Sequence, residues 1–271
     1  MSPIPHDYHM HSEFSIDCAV PIADRCEQAI ALGLAEICVT DHCDYMPADK
    51  GHGYYRPQAY FAELERCRAL YDGRVTLRAG VEVGEWHVFR GQVEALAAAH
   101  PYDFIIGSLH WVGLTPEFMV LEPEYFSGRE QQEAYEAYYS ELLMMVDGGG
   151  FDVIGHLDVP KRAGFGVYGA YSSADFEEPI RAVLRRAIER GIGIEINTGT
   201  ARRPVGVFSP PVDVLTWYRE LGGEILTVGS DAHYPDQMAY RFDEIPAMLA
   251  AAGFRAVTCF EGRKARFVDL E

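Results

Sequence analysis

Seven short apolar stretches recur along the chain, each followed by polar residues and then by a segment patterned at helical spacing. They are DYHMH (7–11), EICVTDH (36–42), TLRAGVEV (76–83), DFIIGSLH (103–110), DVIGHLD (152–158), GIGIEIN (191–197) and EILTVGSDAH (224–233). Between them, IADRCEQAIALG, YFAELERCRALY, EAYEAYYSELLMMV, EEPIRAVLRRAIERG, VDVLTWYRELGG and IPAMLAAAG carry amphipathic helical patterns, and several stop at glycine, a common helix terminator. Apolar runs alternating with helices predict a parallel-stranded α/β architecture, most simply a barrel. The last segment, AVTCFEGRKARFVDL, predicts a β-hairpin about Glu261 and Gly262. No linker, repeat or low-complexity tract intervenes, so residues 1–271 read as one domain.

The polar residues fall at the same end of nearly every run: HMH, TDH, Glu82, SLH, GHLD, EIN and SDAH. In a parallel sheet or barrel the C-terminal strand ends open onto one face, where catalytic groups collect, so residues distant in sequence are expected to converge. His9 and His11 are two residues apart, and the period-two geometry of a strand would turn both rings to one side. Six of the ten histidines (His9, His11, His42, His110, His156, His233) lie at these ends, joined by Asp17, Glu82 and Asp231. The other four, His6, His52, His87 and His100, fall in expected loops or helices.

Nine nitrogen and oxygen donors exceed what one ion uses, since zinc takes about four and manganese or iron about six. They predict two or three divalent transition-metal ions, with zinc, manganese and iron all compatible, and Glu82 as the bridging carboxylate. Such a site brings the pKa of a bridging water to about 7 and presents hydroxide to an electrophile. Asp41, Asp44 and Asp158 are candidates for orienting the ligand imidazoles.

Composition narrows the setting. Of 271 residues, 48% are hydrophobic and 24% charged, enough for a substantial core. No apolar stretch is long enough to span a bilayer, and MSPIPHDYHMH lacks the basic start and apolar centre of a signal peptide, so a cytoplasmic protein without a membrane partner is expected. Six cysteines without CxxC spacing read as reduced thiols; Cys18 and Cys43 adjoin candidate ligands but point elsewhere on a strand. The net charge of -18 weighs against binding a nucleic-acid polymer and leaves room for a small phosphorylated metabolite held by a local cluster of cations.

The set HMH, Asp17, TDH, GVEVG, SLHW, GHLD and SDAH, in this order from residue 7 to 233, resembles the polymerase and histidinol phosphatase (PHP) superfamily. FDVIGHLDVPKR, IIGSLHWVG and EINTGT resemble its histidinol-phosphate phosphatase branch. The resemblance implies a distorted (β/α)7 barrel and a trinuclear metal centre. His9, His11, Glu82 and Asp231 would hold one ion, Glu82, His110 and His156 a second, and Asp17, His42 and His233 a third. Family members often carry histidine where this chain has Asp17.

The implied activity is metal-dependent hydrolysis of L-histidinol phosphate to L-histidinol and phosphate, a step of histidine biosynthesis, by a metal-bridged hydroxide. Glu82 and Asp231 are the expected catalytic carboxylates, and Asp231 or a water the expected proton donor to the leaving group. Lys161, Arg162 and Arg202 follow two of the strand ends and are expected to hold the phosphate, guanidinium geometry suiting bidentate capture. Trp111, Tyr54 and His52 are candidates for contact with an imidazole ring. Competing readings are a nucleotidase or phosphodiesterase of the same superfamily, a barrel amidohydrolase, and a metal-binding module without turnover.

Overall fold

Each apolar run becomes a strand position of one all-parallel sheet. The computed structural model describes residues 4–115 and 118–270, so the first three residues of MSPIPHDYHMH lie outside the described part. The strands are β1 (His6–Asp7), β2 (Glu36–Val39), β3 (His42–Cys43), β4 (Thr76–Gly84), β5 (Phe104–Ser108), β6 (Val153–Ile154), β7 (Gly193–Asn197) and β8 (Leu226–Gly229). They pair in the order β1-β2-β4-β5-β6-β7-β8, with β3 resuming the line of β2 against β4. The sheet then closes on itself: the amides of Tyr8 and His11 donate to Val228 and Ala232, and that of Asp231 donates to His9. The seven strand positions form the expected (β/α)7 barrel.

Helices α1 (Ile22–Leu32), α2 (Pro57–Leu70), α4 (Gln131–Gly148), α6 (Glu177–Glu189), α7 (Val212–Glu220) and α8 (Ile245–Ala251) arise where the amphipathic patterns predict them. Two more were not foreseen. α3 (Arg90–Ala99) buries only Val93 and so shows little apolar stripe, and α5 (Lys161–Tyr168) follows Pro160 directly, in a segment that reads as a loop. Among the described residues, no helix is long and apolar enough to cross a membrane. All six cysteines are free and buried.

The barrel interior divides along its axis. Tyr8, Cys38, Phe104, Ile106 and Val153 fill the lower part, together with Cys259 and Phe260 of the antiparallel hairpin β9 (Ala256–Glu261) and β10 (Lys264–Asp269). The hairpin turns at Gly262 and Arg263, both with positive φ (53° and 63°), the pairing that a two-residue turn matched to strand twist requires. Its turn is fixed to the strand starts, Gly262 and Arg263 donating to Asp103 and the Arg263 guanidinium to Asp152. The Tyr8 hydroxyl accepts from the Phe260 amide at 2.9 Å and lies against the Glu36 carboxylate. The N-terminal mouth is therefore plugged by apolar packing, and the polar groups gather at the other end.

Phe104 stands at the middle of this plug, fully buried, with its ring centroid 5.2 Å from Tyr8 and 4.9 Å from Phe260. Phe104→Ala is expected to lower the unfolding free energy by about 3–5 kcal/mol, read as a shift in urea midpoint. A loss under about 1 kcal/mol would contradict the role given to the hairpin.

Candidate metal centre

Glu82, on β4, is the centre of the upper interior. Its Oε2 lies 3.2 Å from His9 Nε2, 3.6 Å from His11 Nε2 and 3.1 Å from His42 Nδ1. Its Oε1 lies 2.9 Å from His156 Nε2 and 3.6 Å from His110 Nε2. Asp231 Oδ1 approaches His11 Nε2 at 3.3 Å and His9 Nε2 at 3.7 Å. Asp17, from the loop before α1, brings Oδ2 to 3.1 Å from His233 Nε2 and 3.7 Å from His42 Nε2. All nine donors named from the sequence thus meet in one cluster at the C-terminal strand ends. Two of them, His156 (φ 23°) and Asp231 (φ 54°), have left-handed backbone that non-glycine residues adopt only at a cost, a common mark of functional sites.

The donor set fits divalent ions. His9 Nε2, His11 Nε2, His42 Nδ1 and Glu82 Oε2 are buried and have no hydrogen-bond partner. Unpartnered buried polar atoms each cost about 1–3 kcal/mol, and a cation among these four would offset that cost. Donor atoms within 4.8 Å of one another group as His9, His11 and Asp231; as Glu82, His110 and His156; and as His11, Asp17, His42 and His233. A fourth group, His42, Asp44 and His110, sets Asp44 beside two imidazoles as a further donor.

The charges at Glu82, Asp231 and His11 suit ligation, whereas the carboxylates around His9 and His42 hold those two imidazoles up, toward the proton that a bound cation would displace. Burial alone would raise the Glu82 and Asp231 carboxyls, but His42 and His9 around the first, and His9 and Arg162 around the second, hold both well below the usual range. Burial, with His233 and His42 adding like charge, pushes His11 well down into the neutral form that a metal ligand needs. His42 rises to about 9 although burial opposes it, because Glu82 and Asp17 flank it.

Two clefts flank the cluster, and Asp17 lines both. One, of about 350 Å³, is walled by Arg162, Arg202 and Arg203 beside Asp231 and His233. Arg162 donates to Asp231 Oδ2 at 2.8 Å and to Thr200, and Arg202 donates to the carbonyls of Ser230 and Asp231, both at 2.7 Å. The other, of about 380 Å³, is lined by four carboxylates, Asp17, Asp44, Asp49 and Glu122, against one cation, Lys50, together with Trp111 and Met119.

Lys161 corrects the expectation that it helps hold a phosphate. It is fully buried, its ammonium donating to Asp158 and to the Phe208 carbonyl, both at 2.6 Å. The reason is α5: neighbouring residues on a helix point about 100° apart, so Arg162 faces the cleft and Lys161 the core. Asp158 is bound there with Lys161 and Ser209 and orients no ligand imidazole. Of the aromatic candidates Trp111 lines a cleft, whereas Tyr54 lies under the Arg56 guanidinium and neither it nor His52 lines either cleft. The Cys18 thiol donates to the His11 and His233 carbonyls.

The model of the PHP domain matches residues 7–199. The chain belongs to the PHP family. It is 28% identical over 271 residues to the histidinol-phosphatase of Lactococcus lactis, with 95% of each chain covered. A crystal structure of the L. lactis histidinol phosphate phosphatase complexed with zinc, L-histidinol and phosphate superposes with a TM-score of 0.87, covering 97% of this chain and 98% of that one. A Listeria monocytogenes structure shares the fold at TM-score 0.72 and 19% identity, covering 88% of this chain and 98% of that one.

Several supports within this PHP barrel were not foreseen. Ser108 Oγ donates to Glu82 Oε1 at 2.5 Å. Ser15 Oγ pairs with His11 Nδ1 at 3.0 Å, accepts the His42 amide at 2.8 Å and donates to Asp41, which makes Asp41 the orienting carboxylate its sequence position suggested. Glu195 accepts from His9 and from the His156 amide. Its signal was available: Glu195 and Asn197 alternate in GIGIEIN, so both face the barrel interior. Arg203, beside Arg202, also lines the first cleft.

The buried Lys161 pair gives a direct check. Lys161→Met strands the Asp158 charge and is expected to cost about 3–5 kcal/mol of stability, read as a shift in urea midpoint. Unaltered stability with weakened phosphate binding would return Lys161 to the site.

Proposed function

We propose that this PHP protein is a metal-dependent phosphomonoesterase hydrolysing L-histidinol phosphate to L-histidinol and phosphate, a step of histidine biosynthesis. The observation that carries the reading is the pair of clefts: arginines on one side of the Glu82 cluster, carboxylates around an aromatic floor on the other. A phosphate suits the first, and an alcohol bearing an ammonium and an imidazole suits the second. The L. lactis relative, whose structure holds zinc, L-histidinol and phosphate, supports the same assignment. An anionic second cleft disfavours nucleotides and phosphodiesters that would set another phosphate there.

His9, His11, Glu82 and Asp231 would hold one zinc, Glu82, His110 and His156 a second, and Asp17, His42 and His233 a third. When bound, such ions lower the pKa of water to about 7 and offset phosphoryl charge. Arg162, fixed by Asp231 and Thr200, presents its guanidinium to the phosphoryl oxygens, and Arg202, anchored on two carbonyls, forms the neighbouring wall. Their positive charge is in place before the reaction, so charge growing on those oxygens is met without reorganisation. Asp231 is held ionised, which suits it to orient water and argues against it as the donor to the leaving alcohol. Asp49, which accepts from the Trp111 indole at 3.1 Å, holds the aromatic floor and adds negative charge for a cationic alcohol.

Phosphate release from L-histidinol phosphate should vanish on chelation and return with zinc, and Arg162→Ala should lower kcat by about 10²–10³-fold. In the same assay Asp49→Asn should raise KM for L-histidinol phosphate by about tenfold, the effect of about 1.4 kcal/mol, and leave p-nitrophenyl phosphate hydrolysis unchanged. Turnover indifferent to chelation would overturn the mechanism; equal losses on both esters would overturn the cleft assignment.

A further inference from the structure

We propose that Glu195 is a positioning residue that ties the first two ion positions together, so that His9 and His156 become competent ligands as one unit. The proposal rests on the metal reading above.

Glu195 is buried in the barrel interior, 1% exposed, and each of its oxygens is committed to a different ligand. Oε1 lies 2.6 Å from His9 Nδ1, and Oε2 accepts the His156 amide at 2.8 Å and the Asn197 side chain at 3.2 Å. The imidazoles of the same two residues meet Glu82, His9 Nε2 at 3.2 Å from Oε2 and His156 Nε2 at 2.9 Å from Oε1. Two carboxylates thus hold both residues, His9 at its two ring nitrogens and His156 at its ring and its backbone amide. At Gly229 a Cβ would collide with both His9 and the Glu195 carboxylate, so the sequence leaves room for this contact.

The consequence for His9 is its tautomer. A carboxylate only accepts, so the hydrogen bond keeps a proton on Nδ1 and leaves Nε2, the atom without a partner at the centre, as the nitrogen that would ligate. The consequence for His156 is its backbone: the amide bond to Glu195 holds a residue at φ 23°. The third position lies outside this grip. The His42 amide is held by Ser15, His233 Nδ1 lies 3.0 Å from the Asp231 carbonyl, and Asp17 reaches in from a loop.

Glu195→Gln separates these roles with almost no change in volume. Glutamine has one accepting oxygen where the site needs two, so its amide N–H must face either His9 Nδ1 or the His156 amide. Facing His9, it moves the ring proton to Nε2 and blocks ligation there; facing His156, it breaks the bond that holds the strained turn.

The test is zinc titration of chelator-stripped wild-type and Glu195→Gln protein by calorimetry, with histidine tautomers read by ¹⁵N NMR and kinetics on L-histidinol phosphate. The expected result is a loss of about 10–100-fold in affinity for two zinc equivalents, with the third unchanged. kcat should fall and KM change little, because the arginine cleft is untouched, and a His9 signal should show the proton moved to Nε2 or the His156 amide released. Superimposable isotherms, or equal weakening of every equivalent, would overturn the proposal and leave the metal reading standing. If the variant does not fold, the wild-type isotherm decides: two equivalents entering in one step support the linkage, and independent steps overturn it. Wild-type protein that takes up no zinc overturns both.

Discussion

A fully buried carboxylate, Glu82, with five imidazole nitrogens within 3.6 Å is the constraint around which the molecule is arranged. Ionised groups out of water are tolerated only when opposite charge and hydrogen bonds compensate them. That condition draws donors from most of the strands to one point, and only a closed parallel sheet presents so many strand ends together. The hairpin follows from the same requirement, since a barrel whose upper half is polar needs its other mouth packed with apolar residues. Tyr8 lies next to His9 in sequence, yet its ring sits in the plug with Phe104 and Phe260.

The surroundings divide the work around this centre. Overall charge is strongly negative, yet three arginines line the cleft beside Asp231, so the local potential is reversed where a phosphate is proposed to sit. The facing cleft keeps the prevailing sign and adds Trp111. Asp17 lines both, standing where the bond to be broken would lie in the proposed reaction. Behind the donors, two carboxylates share the support: Asp41 acts through Ser15 on His11 and His42, and Glu195 acts on His9 and His156.

The seven strand positions were legible because parallel strands flanked by helices are buried on both faces and read as apolar runs, and eight of the nine candidate donors were legible because they close such runs, Asp17 in the loop before α1 being the exception. What escaped was whatever depended on local helical phase or on side-chain reach. α5 begins directly after Pro160, so the adjacent basic residues Lys161 and Arg162 looked equivalent, although helical rotation sends one to the core and the other to the cleft. α3 was hidden by its alanines and by burying a single residue. Glu195 was legible as an inward-facing strand position, but not which imidazole it meets 186 positions away.

The central claim is that divalent ions occupy the space among His9, His11, His42 and Glu82, where buried donor atoms have no protein partner. Anomalous diffraction at the zinc edge, from crystals grown with zinc, tests it most directly. The account predicts strong anomalous peaks against both oxygens of Glu82 and within reach of the imidazoles around it. A structure with the cluster intact and no anomalous signal at Glu82 would contradict it.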